Sequence, residues 1–452
     1  MRVILLSGGS GKRLWPLSND TRSKQFLRLL EAPDGSSESM FQRMLRQLND
    51  TGIAQSITIA TSASQIDIIS NQLLGREADV VTEPERRDTF PAIALSSAFL
   101  ALEKGYGDDE VIVVVPCDAY TEKGYFDSIK TMVQAVKDNV AELVLMGICP
   151  TAPSTKFGYV VPKSQQKGGV ALAVERFTEK PDSAKAKELI QQGAFWNGGV
   201  FAFRLGYLMN IVNKHIQVNS FTELRDRYAE LPKISFDYEV AEKAQSVAVV
   251  PYKGKWKDLG TWNSMAEELP HPFSGYVIAD ETTSGTCIIN ELDDMPIISV
   301  GTKDMIVAAS PDGILVCSKE ASERQKPLVE QIKARPMYEE RRWGTYRVIG
   351  NTTYPDGYRS LTKLLHLNAG KFISYQTHAK REEVWTFVDG EGLLVVNGEV
   401  RKVGRGDVVH IQPGMYHAIR ALSELEFIEV QVGTELVEED IQRYPWDWEK
   451  YL

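Results

Sequence analysis

Apolar runs of four or five residues, each closed by glycine or polar residues, alternate with longer segments of helical period over the first 270 residues. The runs at 3–6, 56–60, 111–115 and 143–147 read as strands buried on both faces, and 41–49 and 91–104 as helices between them. Such alternation predicts an α/β doubly wound sheet. From about Gly275 the texture changes. Short strand-like pieces at 286–290, 296–300, 304–308 and 313–317 follow one another without a helix, and the charged stretch 322–333 reads as a helix-compatible linker. From Trp343 to Val432 the pattern is almost wholly β (360–367, 384–388, 392–396, 408–411 and 425–431), separated by glycine turns. This predicts a small antiparallel barrel or jelly roll. Three units are expected, at 1–270, 271–335 and 336–452.

Composition narrows the function classes. The 452 residues suit two or three domains. With 43% apolar and 25% charged residues, the chain is neither disordered nor fibrous. Lys plus Arg number 51 against 61 Asp plus Glu, a net charge of −10, so no basic excess speaks for nucleic acid. Any phosphate chemistry must rest on local cations, backbone amides or a metal. Four scattered cysteines form no CxxC pair, against a zinc ribbon or disulfide framework. The N-terminus enters glycine too early for a secretory leader, and no run reaches the ~18–20 apolar residues of a membrane span. The expectation is a soluble cytoplasmic protein with neither nucleic acid nor membrane as partner.

Gly8-Gly9-Ser10-Gly11-Lys12-Arg13 follows the first strand directly. Glycines there let backbone N–H groups approach a phosphate. The run is neither G-x-G-x-x-G nor a P-loop, and alone it is equally a structural turn. Arg13 and Lys24 flank it, and two cations with a nest of amides suit a triphosphate and its leaving pyrophosphate. GGSGKRLWPLS (8–18) followed by KQFL (24–27) resembles the signature of sugar-nucleotide pyrophosphorylases, and within them bacterial mannose-1-phosphate guanylyltransferases. Further matching pieces come in family order. They are Glu83-Pro84 with Arg87-Asp88-Thr89-Phe90-Pro91-Ala92, Pro116-Cys117-Asp118, Phe177-Thr178-Glu179-Lys180-Pro181, Trp196-Asn197-Gly198-Gly199 and Trp256-Lys257-Asp258-Leu259-Gly260.

The resemblance implies a Rossmann-like, GT-A-like nucleotidyltransferase domain over 1–270. Nucleotidyl transfer needs an attacking sugar phosphate, an electrophilic α-phosphate, a metal and a leaving pyrophosphate. Asp118 ends an apolar strand, where open α/β sheets place ligands, and Asp258 lies in a Trp- and Gly-rich turn. Either alone reads equally as a cap or turn; the family pattern puts Mg²⁺ on both. It also implies nucleotide contacts at Gly8, Gly9, Gly11, Lys12, Glu83, Asp88 and Thr89. On the sugar side it assigns Glu179 to hydroxyls and Lys180 to the sugar phosphate, with Asn197, Gly158 and Asp237 completing the wall. Three departures stand out. Asp88-Thr89-Phe90-Pro91 replaces Asn-Thr-Ala-Pro, an acceptor suited to guanine's donor edge. Asp118-Ala119 replaces Asp-His, and Lys156-Phe157-Gly158-Tyr159 shortens Thr-Gly-Tyr-Gly-Tyr.

Four of six histidines (His366, His378, His410, His417) fall in the last β-rich unit. The spacing Gly370-x5-Gln376-x-His378-x4-Glu383-x6-Gly390 reads as a first cupin motif with Gln for its first His, and Pro413-Gly414-x2-His417 as the second. Residues two apart on a strand share a face, so Gln376 and His378 are expected to point inward and, with Glu383 and His417, to offer an N/O site for Zn²⁺ or another divalent ion. The unit resembles the cupin of type II phosphomannose isomerases, although Ala379, Lys380 and Val384 stand where that motif has histidines.

The expected activity is GTP plus α-D-mannose 1-phosphate giving GDP-mannose and diphosphate. Three other readings stay open: a bifunctional enzyme whose cupin interconverts mannose 6-phosphate and fructose 6-phosphate, a pyrophosphorylase for a related hexose 1-phosphate, and a non-catalytic sugar-nucleotide sensor. The segment around 275–316 resembles a short β-helical piece that packs subunits, which implies a homo-oligomer.

Overall fold

The computed structural model describes residues 1–9, 11–163 and 170–451, so Ser10 of the glycine turn lies outside the described residues. The chain divides into two compact units. The first comprises Met1–Arg13, Ser23–Ile66 and Gly75–Pro270; the second comprises Leu14–Arg22, Asp67–Leu74 and His271–Leu452.

Nine strands form the sheet of the first unit: β1 (Arg2–Leu6), β2 (Ser56–Ser62), β3 (Asp79–Glu83), β4 (Val111–Pro116), β5 (Leu143–Ile148), β6 (Tyr159–Pro162), β7 (Leu172–Thr178), β8 (Phe195–Arg204) and β9 (Val247–Tyr252). Their order is β3-β2-β1-β4-β8-β5-β9-β7-β6. The half around β1 is parallel throughout; β1 and β4 are the near-continuous apolar runs that burial on both faces demands, whereas the edge strand β3 (DVVTE) is only partly buried. β8 runs antiparallel between β4 and β5, so the sheet is mixed rather than uniformly parallel. Its register slips between Asn197 and Phe201, where Gly198 and Gly199 interrupt the apolar pattern. Helices α1 (Met40–Thr51), α2 (Thr89–Ala98), α3 (Lys123–Lys137) and α4 (Leu205–His215) cover the sheet. Ser39 and Gln42 cap α1 reciprocally, and Gly52 ends it at φ 60°. Phe90, Ile93, Val114, Phe201, Phe203 and Phe236 are buried in the core between sheet and helices. Beyond β4, Ala119–Thr121 pairs antiparallel with Trp256–Asp258, which brings Asp258 opposite Ala119.

The second unit starts as a ladder. Phe273–Ser274, Cys287–Asn290 and Met305–Ser310 stack in parallel, and Val277–Ala279 stacks on Ile297–Ser299 in the same way. This is β-helical geometry, and Gly313–Ser318 closes it antiparallel. Leu14–Arg22 belongs to this unit through specific bonds. Ser310 Oγ donates to the Pro16 carbonyl at 2.8 Å, Asn19 Nδ2 to Asp312 at 2.7 Å, and Arg22 grips Glu291 with two bonds of 2.8 and 3.0 Å. Between ladder and barrel, the helix-compatible linker over 322–333 contains a 3₁₀ turn (Ser322–Gln325) and one short helix (Lys326–Val329).

The barrel strands are β10 (Tyr338–Arg341), β11 (Gly344–Thr353), β12 (Arg359–Leu367), β13 (Phe372–Thr377), β14 (Arg381–Asp389), β15 (Glu391–Val396), β16 (Glu399–Gly404), β17 (Val408–Ile411), β18 (His417–Ala421), β19 (Leu425–Gly433) and β20 (Gln442–Tyr444). They form two sheets, β10-β11-β12-β19-β14-β17 and β16-β15-β18-β13-β20. Strict alternation of buried and partly exposed residues along β12, β14 and β19 turns Leu361, Leu365, Trp385, Phe387 and Phe427 into one core.

Candidate functional site

The first unit gathers a cation and two carboxylates. Lys24, in a 3₁₀ turn after the glycine loop, sets its Nζ 2.9 Å from Asp118 Oδ2 and 3.0 Å from Asp258 Oδ1. Burial pulls the ammonium down, yet the two carboxylates outweigh it and push its pKa up to about 12. Burial raises the Asp118 carboxyl, and the Lys24 ammonium reverses this, leaving its pKa below the ordinary value; the Arg13 charge acts the same way. Two carboxylates converging on one cation are the donor set a divalent ion takes, so the residues present fit a metal. At Gly260 a Cβ would lie 2.8 Å from Asp258 Oδ1, so the turn needs glycine to leave that carboxylate in place.

Around the glycine loop, Ser23 Oγ donates to the Gly9 carbonyl at 3.1 Å, and a Cβ on Gly8 would lie 3.6 Å from Glu83 Oε1. Gly11 is buried, Lys12 half-buried and Arg13 exposed. Glu83 is buried at the end of β3 and accepts from Tyr228 Oη at 2.9 Å. Burial pushes its carboxyl up to about 7. Asp88 adopts φ 72° and caps α2, its Oδ1 accepting from Thr89 N at 2.7 Å. That oxygen therefore serves the helix as well as any base. Thr89 Oγ1 accepts from Phe236 N at 2.8 Å, tying α2 to the segment that carries Asp237.

A second cluster assembles from distant segments. Asn197 on β8 donates Nδ2 to Asp237 Oδ1 at 2.6 Å, and its backbone N donates to the Gly158 carbonyl at 2.8 Å. A Cβ on Gly158 would sit 2.3 Å from Glu179 Oε2, so only glycine leaves that carboxylate its place. Lys180, at φ 45°, pairs Nζ with Glu179 Oε1 at 2.7 Å. Asp237 opens a π-helical turn (Asp237–Ala241); burial and then the Glu179 charge push its carboxyl up to about 6. The five residues thus form one polar wall with carboxylates, an amide and an ammonium, suited to hydroxyls and an anion.

The barrel holds a third cluster. His378, Glu383 and His417 are all buried, with ligand atoms within 4.8 Å of one another. His378 Nδ1 lies 3.0 Å from the Arg381 carbonyl and His417 Nδ1 3.0 Å from the Met415 carbonyl. A carbonyl only accepts, so both Nδ1 atoms carry the proton and both Nε2 lone pairs are free. These Nε2 atoms are buried without a hydrogen-bond partner and face Glu383, at 3.2 and 3.8 Å. Burial holds the His417 pKa below its ordinary value, which favours the neutral ring. Two orphaned imidazole nitrogens facing a carboxylate fit a divalent metal. One expectation needs correcting: β13 ends at Thr377, so His378 stands in the turn beyond it and not on one strand with Gln376. Gln376 is buried, pairs with His417 in register, and accepts from Ser374 Oγ at 3.0 Å. His366 and His410 lie outside this cluster, on surface pairs with Glu424 and Glu382.

Two buried charges of the barrel went unread in the sequence. Lys363 and Glu429 face each other across β12 and β19 with Nζ 3.2 Å from Oε2. Burial, then the Glu383 charge, pushes Glu429 up to about 7. The signal was present: both occupy inward positions of alternating strands, in the same rows as Leu361, Leu365, Leu425 and Phe427.

Three family models match the chain: nucleotidyl transferase over residues 2–271, MannoseP isomerase/GMP-like beta-helix domain over 280–332, and mannose-6-phosphate isomerase C-terminal over 331–445. A mannose-1-phosphate guanylyltransferase of Salmonella montevideo is 30% identical over 98% of both chains. The xanthan biosynthesis protein XanB of Xanthomonas campestris pv. campestris (strain B100) is 31% identical over 98% of this chain and 97% of its own. A solved structure from Thermus thermophilus, described as a mannose-1-phosphate geranyltransferase, is 29% identical with a TM-score of 0.60, covering 74% of this chain and 99% of that one. Among the described residues no helix is long and apolar enough to cross a membrane.

Proposed function

The chain belongs to the nucleotidyl transferase family, in the long form of the mannose-1-phosphate guanylyltransferases, and from that premise we propose that it joins GTP and α-D-mannose 1-phosphate into GDP-mannose and diphosphate. The observation that carries this reading is Lys24 held between Asp118 and Asp258 at the end of β4. In this reading Arg13, Lys12 and the amides of Gly8, Gly9 and Gly11 hold the triphosphate, while Glu83, Asp88 and Thr89 face the base. Lys180 holds the sugar phosphate, and Glu179, Asn197 and Asp237 bind hydroxyls in the space that Gly158 leaves open. A phosphate oxygen of the sugar phosphate attacks the α-phosphorus in line, the bond to the β-phosphate breaks, and diphosphate leaves against Arg13 and Lys24. A magnesium ion held by Asp118 and Asp258 would supply neutralising charge to the phosphates. GTP and hexose phosphates are cytoplasmic metabolites, which is the compartment proposed here.

Asp258→Ala tests the assignment: turnover with GTP and mannose 1-phosphate is expected to vanish while the thermal melt persists, and full activity would sink it. A screen of five nucleoside triphosphates against several hexose 1-phosphates checks base and sugar; preference for another pair would redirect the assignment. A second reading, that the barrel also interconverts mannose 6-phosphate and fructose 6-phosphate, is favoured by the orphaned Nε2 atoms of His378 and His417 beside Glu383. In it Gln376, His378, Glu383 and His417 hold a divalent metal such as zinc.

A further inference from the structure

The three motif histidines that this chain lacks do not bear on the barrel cavity. Ala379 and Lys380 are exposed, Lys380 pairing its Nζ with Glu435, and Val384 alternates with the inward-facing Glu383 and Trp385. The cavity itself, about 310 Å³, is lined among others by Lys363, Glu429, Gln431, Glu383, Arg342 and Arg443. Its chemistry must come from these residues.

Glu383 is committed. Its Oε1 accepts from Arg381 Nε at 2.9 Å and Gln431 Nε2 at 3.0 Å, and its Oε2 from Trp385 Nε1 at 3.1 Å. Glu429 is different. The Gln431 amide at 3.0 Å and the Lys363 ammonium at 3.2 Å both meet its Oε2, which leaves Oε1 to the cavity. The cations also divide. Arg341 pairs with Glu339 and Asp67, Arg381 with Glu383, and Lys363 with Glu429. Among the described residues Arg342 and Arg443 have no such partner, and both are exposed on the cavity's lining. Two unpaired guanidinium groups suit a phosphate, and the cavity volume suits a hexose attached to it.

We infer that Glu429 and Lys363 are the proton-transfer pair of a second active site, acting on a hexose phosphate whose phosphate meets Arg342 and Arg443. This rests on the reading of the barrel as an aldose–ketose isomerase. On an open-chain 2-hydroxyaldehyde, Glu429 Oε1 takes the proton from C2, and the C2–H electron pair becomes the C1–C2 double bond. Lys363 gives a proton to O1, and an enediol results. Lys363 then recovers a proton from O2, Glu429 returns its proton to C1, and the ketose forms with both residues restored. No further reactant is required. The chain carries its isomerisation base on β19, away from the histidine-rich turn.

The test uses the full-length protein loaded in turn with zinc, manganese and cobalt, comparing wild type with Glu429→Gln. Two signals are followed in D₂O: mannose 6-phosphate/fructose 6-phosphate interconversion, and deuterium entry at C1 and C2 by NMR. Glu429→Gln is expected to lower both by about 10³-fold, with bound metal and GDP-mannose formation unchanged. Retention of both signals in the variant overturns the roles of Glu429 and Lys363 while leaving an isomerase. Silence of the wild type with all three metals overturns the isomerase reading and this inference with it. If Glu429→Gln melts early or loses metal, Glu429→Asp decides. Slowed exchange at full metal content supports the assignment, and wild-type exchange overturns it.

Discussion

Lys24→Met should make the ligand-free protein bind a divalent cation more tightly while crippling turnover. The ammonium stands 2.9 and 3.0 Å from the two carboxylates proposed to hold the metal, so ion and ammonium compete for one position. The strength of that competition follows from its pKa, raised from 10.5 to about 12. At 1.36 kcal/mol per unit this is about 2 kcal/mol, or roughly 30-fold in affinity. Asp118 and Asp258 are 37% and 35% exposed, so water screens part of the attraction, and the figure is the net of that attraction and the burial of Lys24. The raised pKa means that the bridge is fully formed below pH 10.5 and lost only as pH rises through about 12, so no titration of Lys24 intrudes near neutrality. Calorimetric titration of manganese into protein free of nucleotide should give a lower Kd for Lys24→Met, by up to about 30-fold. GDP-mannose formation should meanwhile fall by about 10²–10³, the usual cost of one missing electrostatic donor. Manganese binding that is unchanged or weaker in the variant would refute the competition, whatever happens to turnover.

Gly158→Ala places a Cβ 2.3 Å from Glu179 Oε2, so we expect a stability loss of about 1–3 kcal/mol and a raised KM for the sugar phosphate with the KM for GTP little changed; steady-state kinetics and urea melts check both. The Glu83 carboxyl is raised from 4.5 to about 7, so the folded state binds its proton more tightly and stability falls as pH climbs through that window. Glu83→Gln should remove a decline of about 3 kcal/mol between pH 4.5 and 7, and an equally steep pH slope in the variant's urea midpoints would contradict this. Stripping the barrel with a chelator that spares magnesium should lower its melting temperature and leave guanylyl transfer in added magnesium intact. Unchanged melting after verified metal loss would argue against a structural bond to His378 and His417.

β1, β4 and β5 were legible because strands buried on both faces are near-continuously apolar, whereas β3, the polar edge strand DVVTE of the parallel half, was not. β8 was not: Asn197, Gly198 and Gly199 break its run, and the slipped register that accommodates them is a tertiary fact. The carboxylates Asp118 and Asp258 could be paired only through a family resemblance, since 140 positions separate them and the joining ribbon is three residues long. Lys24 was expected on the triphosphate, and without a ligand the nearest anions are those carboxylates. In the barrel, period two along β12 and β19 marks Lys363 and Glu429 as inward charges, whereas the histidine motif covers only β13, β14 and β18.

The division of the signature segment bears on when the protein becomes complete during synthesis. Met1–Arg13 belong to the first unit, whereas Leu14–Arg22 finds its partners at Glu291, Ser310, Asp312 and Glu340, all beyond Pro270. At about 5–20 residues per second, the last of these leaves the ribosome on the order of 10 s after Pro270. Through that interval the stretch adjoining the glycine loop has no home, although every residue proposed for guanylyl transfer has already been made. A chain cut at the boundary its hydrophobic pattern suggests would remain in that unfinished state.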